Sequence, residues 1–225
     1  MSCGGGRRWL APGECLGPAW GIVLDEPAGQ LARALTAGAT SPADAARRLF
    51  EHTRDRFRYS YRIQVTGPDD LWSTAVRQRE TAFCLQKAVY LTALARSVEI
   101  PTALAFQTIV DHTLPRRARE DFFPGGTMRG HTLVAFHIDG RWVRCDPTHD
   151  RATAETLDCD LVEFRPGADS FLPERSRSGR PIITVTEDHG LFVAPWHDAV
   201  AAAVEGLWQR EYPRWLEAFG DRSSW

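Results

Sequence analysis

With 225 residues, 43% of them hydrophobic and 25% charged, the chain has the balance of one sizeable globular domain with appendages, not of a disordered segment. Its formal net charge of −2 leaves no basic stripe to follow a phosphate backbone and no polybasic anchor, which argues against nucleic-acid and membrane partners. Five cysteines (Cys3, Cys15, Cys84, Cys145 and Cys159), odd in number and irregularly spaced, argue against a disulfide framework and for a reducing compartment, so the expected location is cytoplasmic.

Arg7-Arg8 is followed by Pro12, Glu14, Pro18 and Asp25, so no apolar run there is long enough for an export signal or a membrane span. The start reads as a mature cytoplasmic one. Residues 1–40 are rich in Gly, Ala and Pro and are expected to form an extension packing on the core. Ser41-Pro42 then opens an amphipathic helix through about Arg58. Tyr59 to Val65 reads as extended, Thr66 to Asp70 as a turn, and Leu71 to Arg79 as a short helix. The next helix has Thr81 as its expected N-cap, apolar positions at Cys84, Ala88, Leu91, Ala95 and Val98, and a stop at Pro101. Thr102 to Val110 is β-rich, and Asp111 to Gly130 reads as a long loop of the kind that often carries function. Beyond it come a hairpin around Asp139-Gly140, a strand near Ile182 to Val185, and a terminal helix over about Trp196 to Phe219. The expected organisation is an extension over 1–40, a catalytic domain over 41–195 and a C-terminal helix over 196–225.

Cys84 is the most informative residue. In the first turn of a helix, free backbone N–H groups and the positive end of the macrodipole stabilise an anionic sulfur, and the same N–H groups can bind an oxyanion. His131 and Asp146 follow at hairpin spacing. If Asp139-Gly140 is a two-residue turn, Ile138 pairs with Arg141 and, counting outward, Leu133 with Asp146. His131 shares a face with Leu133, so Asp146 becomes its diagonal cross-strand neighbour at roughly 7–8 Å, within side-chain reach. Cys145 has the opposite parity and should point away. His137 lies about 20 Å along the strand from His131.

A Cys, a His and an Asp in that order, the first on a helix start and the others on adjacent strands, resemble the transglutaminase-like branch of the papain-like cysteine enzymes. The resemblance covers about Ser41 to His149, with weaker echoes to about Pro195. It rests on Ala45 to Tyr59, on Cys84-Leu-Gln-Lys-Ala with Ile100-Pro101-Thr-Ala, and on His131 through Trp142 to Asp146-Pro-Thr148. It implies an α+β fold, with the nucleophile at a helix N-terminus packed on an antiparallel sheet that carries His and Asp. Residue by residue, it implies Cys84 as nucleophile, His131 as general base and acid, and Asp146 as the group orienting the imidazole, with no cofactor. Ala82 stands where the family usually has Gly, and Leu133 where an aromatic often follows the His. These departures bear on the shape of the substrate cleft.

The implied chemistry is acyl transfer through a thioester on Cys84. Water as acceptor gives a hydrolase, an amine gives amide formation or cross-linking, and an internal stabilised carbanion gives ring closure. The family includes small cytoplasmic bacterial members that take acyl chains from carrier-protein thioesters, as amide synthases or as Dieckmann cyclases forming tetramate or pyridone rings. Similar size and triad order point to that branch, with an acyl or peptidyl thioester, possibly on a carrier protein, as substrate. A cysteine peptidase or amidase and a protein transglutaminase are alternatives of the same chemistry. A noncatalytic scaffold of the same fold, binding a partner, is an alternative of another class.

Lys87 is the only lysine although Lys and Arg together number 27, an avoidance that fits a GC-rich genome. One turn beyond Cys84, it reads either as a solvent-facing helix residue or as a positive group that adds potential to the thiolate or contacts an acidic substrate or carrier. Trp72 is expected to wall the cleft, and Phe122 and Phe123 to help cover an elongated apolar acyl chain. His131, His137, His149, Cys145 and Cys159 lack paired Cys-x-x-Cys or helix-spaced His ligands, so no metal site is expected.

Overall fold

Two helices open where the sequence offers an N-cap followed closely by proline, which is preorganised for the first helical turn. Ser41 accepts from the Asp44 N–H (3.1 Å) and starts α2, Pro42–Arg56. Asp25 accepts from the Ala28 N–H (3.0 Å) and starts α1, Glu26–Thr36, a helix inside the segment read only as an extension. The computed structural model describes residues 9–60, 65, 68–121 and 123–195. Cys3, Phe122 and the expected terminal helix therefore lie outside the described residues.

Strand β1 (Arg58–Tyr59) pairs in parallel with β2 (Thr81–Ala82), and between them lie a 3-10 turn at Pro68–Leu71 and α3 at Ser73–Val76. Thr81 is thus a strand residue. The N-cap position of α4 (Cys84–Arg96) falls to Phe83, whose N–H is taken by the Gln86 side chain at 3.4 Å. The expected apolar stripe understates α4, because every one of its residues is buried. A helix enclosed on all sides must satisfy its polar residues internally, and Gln86, Lys87 and Arg96 do so through carbonyl oxygens of Asp70, Arg54 and Thr102.

Strands β3 (Thr102–Asp111), β4 (Thr127–Ile138), β5 (Arg141–Cys145) and β6 (Ile183–Phe192) form an antiparallel sheet in the order β5-β4-β3-β6. Helix α5 (Arg116–Asp121) and a 3-10 turn at Pro124–Gly126 replace the expected long loop before β4. Asp139 and Gly140, at φ 51° and 79°, form the two-residue turn, and Ile138 pairs with Arg141 as the spacing predicts. An ion pair from Arg144 on β5 to Asp188 on β6 joins the two outer strands, so the sheet is strongly curled. The fold is mixed α/β, with a helical layer on one face of an antiparallel sheet.

The larger core cluster joins the helices to that face, through Ile22, Ala32, Leu49, Phe50, Leu91 and Leu94 against Val134, Phe136 and Val143. A smaller cluster on the other face joins Ala103, Ala105, Leu133 and Ala135 to Leu10 and Cys15. Residues before position 40 therefore contribute to both clusters. Among the described residues no helix is long and apolar enough to cross a membrane.

Arg96 stitches these parts together. Its guanidinium donates to the carbonyls of Thr102 (2.6 and 2.9 Å), Gly17 (2.7 Å) and Val193 (2.6 Å), and burial lowers its pKa to about 10. It still carries its charge near neutrality. Arg96→Leu leaves these carbonyls without their donors, and the expected loss is about 3 kcal/mol, read as a lower urea midpoint with unchanged slope.

Candidate active site

The hairpin and the start of α4 converge at the triad residues. His131 Nε2 lies 2.7 Å from Asp146 Oδ2, with the two side chains 4% and 1% exposed. Cys84, at the start of α4, lies near enough to the ring to add to the rise of its pKa. Asp146 Oδ1 accepts from the Thr148 N–H (2.9 Å), and the Asp146 N–H donates to the Ser170 carbonyl (2.9 Å). Cys84, His131 and Asp146 therefore come together where α4 begins and the hairpin ends.

The diagonal contact of His131 and Asp146 follows the sequence register, although the β4–β5 ladder ends one pair earlier, at Val134 opposite Cys145. Strict alternation is less successful with His131. Leu133 packs in the smaller cluster, whereas His131 meets the start of α4, which packs on the opposite face. The pairing with β3 jumps from Gln107–His131 to Thr108–Arg129, leaving Gly130 as the extra residue at φ 83°. A bulge bends a strand and re-aims its side chains, and this one sits immediately beside the imidazole.

Burial alone would lower the His131 pKa, but the Asp146 carboxylate outweighs it and, with Cys84, raises it well above the ordinary histidine value. Burial would likewise raise Asp146, yet its charge pairing with His131 and its bonds from Thr148 hold it below the usual carboxylate range. The favoured state near neutrality is a carboxylate against an imidazolium.

Lys87 is not the solvent-facing residue of the first sequence reading. It is fully buried, and its Nζ donates to the Arg54 carbonyl (2.9 Å) in the last turn of α2, where the negative end of the helix dipole favours a cation. Burial lowers its pKa to about 8, against the pull of Asp150, Asp146 and Asp55. This ammonium is a structural brace closed off from substrate. Phe123 is also buried, while Trp72 is 37% exposed on the loop that Gln86 ties to the first turn of α4 through the Asp70 carbonyl (3.1 Å). His137 packs edge-on against Trp142, and Cys145 lies in the larger core, where burial raises its pKa well above the ordinary thiol value.

The sequence reading missed several neighbours of the triad. His149 is buried, its ring centroid 5.1 Å from that of Tyr59, and its Nδ1 has no partner. Asp150 accepts the Tyr59 N–H at 2.7 Å. The polar run Asp146-Pro-Thr-His-Asp150 was the available signal, since so dense a set of hydrogen-bonding residues after a buried strand must find partners inside. Among the described residues, no group of three or more His, Cys, Asp or Glu is arranged to hold a metal ion.

A thiol at a helix start, an imidazole and a carboxylate in line define a cysteine–histidine–aspartate site on a papain-like arrangement of helix and antiparallel sheet. The family model of the transglutaminase-like superfamily matches residues 29–147, just over half of the chain, and the chain belongs to that cysteine-based catalytic family. No curated protein matches it. Among solved structures, it is similar to a proposed cysteine protease from Cytophaga hutchinsonii, with 13% identity and a TM-score of 0.46, covering 79% of this chain and 52% of that one. The chain thus spans about half the length of that structure.

His149 carries a pH signature. Burial lowers its pKa from 6.5 to about 4, against Asp146 and Asp111. Because the folded value lies below the unfolded one, the unfolded chain takes up a proton first, and stability falls as pH drops from about 6.5 to about 4. His131, shifted upward, acts only above that window. Urea titrations across it should show His149→Gln losing less stability on acidification than wild type, by an amount on the order of 2–3 kcal/mol.

Proposed function

We infer that the protein transfers acyl groups through a thioester on Cys84, and the observation that carries this reading is the buried line from Cys84 through His131 to Asp146. The sulfur attacks an acyl carbonyl carbon, forming the C–S bond. The tetrahedral oxygen is met by first-turn N–H groups of α4, which a helix leaves without intrahelical acceptors. On collapse, the leaving thiol or amine takes its proton from the His131 imidazolium, and the ring is then neutral and able to accept a proton from the incoming acceptor. Attack of that acceptor on the thioester carbon releases product and returns the sulfur anion beside the recharged ring. Asp146 holds the ring orientation throughout.

The finer reading concerns donor and acceptor. The donor is an acyl or peptidyl thioester carried on a carrier protein, and release proceeds by Dieckmann ring closure or by amide formation. What supports it is the resemblance of the chain to small members of the family in size and triad order. Exposed Trp72, on the loop fixed to the nucleophile's turn, is the side chain best placed to meet the acyl group.

Intact-mass spectrometry with a panel of acyl thioesters and peptides tests this reading. Wild type should gain an acyl mass that Cys84→Ala never acquires. His131→Asn and Asp146→Asn should lower turnover by about 10²–10⁴-fold while the fold persists. Product formed without an added amine and without hydrolysis identifies ring closure, an amine requirement identifies amide formation, and free acid identifies hydrolysis. A Cys84 that acquires no acyl group and resists a mild alkylating reagent would place the chain among noncatalytic scaffolds.

A further inference from the structure

The triad is assembled from two separate parts of the chain. Cys84 arrives from the helical half through β2, whereas His131 and Asp146 arrive on the sheet. Their alignment needs something that fixes one part against the other, and the nearness of sulfur and ring is too small a contact to do so alone.

Tyr59 occupies the junction. It is opposite Ala82 in the β1–β2 pair, two residues before Cys84, and the Ser60 N–H donates to the Ala82 carbonyl (3.4 Å). Its own N–H donates to Asp150 Oδ2 (2.7 Å), and its ring meets that of His149. Both residues belong to the short run that begins with Asp146. Asp150 is itself fixed, because Oδ1 caps α6 (Arg151–Thr156) by accepting from the Thr153 N–H (3.2 Å) and Oδ2 also accepts from Thr153 Oγ1 (2.7 Å). At the other end of the same stretch, Lys87 on α4 holds the Arg54 carbonyl at the close of α2. The segment from Arg54 to Tyr59 is thus pinned by α4 at one end and by the Asp146 run at the other.

His149 adds an independent sign. A buried ring whose Nδ1 has no partner is not held there by a hydrogen bond through that atom. Its evident contact is the face it offers to Tyr59.

We propose that Tyr59, His149 and Asp150 form a clasp that sets the alignment of Cys84 with His131, with His149 and Asp150 as positioning residues. This rests on the acyl-transfer reading, since alignment matters only if sulfur and ring act together. The clasp grips the nucleophile's approach strand from the segment that carries the carboxylate, so a fault in it would misplace the sulfur without touching any of the three triad side chains.

The test is the rate of alkylation at Cys84 by iodoacetamide between pH 5 and 9, read on the Cys84 peptide by mass spectrometry, with folding checked by calorimetry. Asp150→Ser keeps an α6 cap but is too short to reach the Tyr59 N–H. His149→Ala removes the ring contact, and His149→Phe retains it. Wild type should be alkylated at Cys84. At pH 6, Asp150→Ser and His149→Ala should react about ten- to a hundredfold more slowly than wild type, while His149→Phe stays near it. Folded Asp150→Ser or His149→Ala protein with the wild-type profile overturns the clasp alone. If Asp150→Ser fails to fold, the two His149 variants decide it in the same terms. A wild-type Cys84 that resists alkylation across this range overturns the acyl-transfer reading, and the clasp with it.

Discussion

A charge pair sealed from water is costly unless each partner's remaining hydrogen-bonding capacity is met, and the His131–Asp146 pair makes that demand on everything around it. The second carboxylate oxygen is met by the Thr148 N–H, Cys84 lies beside the ring, and the strand end is held by Ser170. Each of these requires a different part of the chain in place: the turn after β5, the start of α4, and the segment bridged to Cys145. Loss of either ion leaves the other buried and unpaired, a penalty of about 3–5 kcal/mol in comparable pairs. The chemical site and the meeting of helix and sheet are one constraint.

Enclosure of α4 explains where the chain keeps its unusual cations. Lysine survives once among 27 basic residues, at a position where the Arg54 carbonyl accepts its hydrogen bond. A compact ammonium suits that geometry, whereas a guanidinium would bring five donors in a fixed fork and leave most of them unmatched. At Arg96, on the same helix, three carbonyls accept four bonds, and there arginine is accommodated. A compositional drift toward arginine is tolerated where the fork can be filled and stops where it cannot.

The same contrast explains what could be read from the sequence. Asp139-Gly140 specified a two-residue turn, a turn fixes register, and register placed Asp146 beside His131. Helix punctuation by Ser41-Pro42 was equally local and equally legible, whereas α4 ends at Arg96, before the turn at Glu99 and short of the expected stop at Pro101. Lys87 was misread because a helical pattern reveals the face that is certainly buried, not whether the remaining faces are covered by distant segments. The bulge at Gly130 was missed for a related reason: an isolated glycine permits a bulge, but only the partner strand shows whether a residue is left over. Helix α1 was hidden in a stretch whose Gly, Ala and Pro content resembles an extension until Asp25 is seen capping it and pairing with Arg77 at 2.8 Å.

Burial also separates the step that the triad can control from the step it cannot. On the proposed reading, formation of a thioester depends on sulfur, ring and carboxylate, all held at the junction of α4, β4 and the turn after β5. The fate of that thioester depends on which acceptor reaches its carbon, and that is governed by the walls of the approach. The exposed candidate on the helical side is Trp72, on a connection between short elements whose position is relayed to the nucleophile's turn by Gln86. Connections of this kind tolerate change far better than an enclosed helix or a paired strand. On the acyl-transfer reading proposed above, altering the loop around Trp72 should exchange hydrolysis, amide formation and ring closure while the charge pair stays untouched, because the buried site would fix the attack and leave the acceptor to its surroundings.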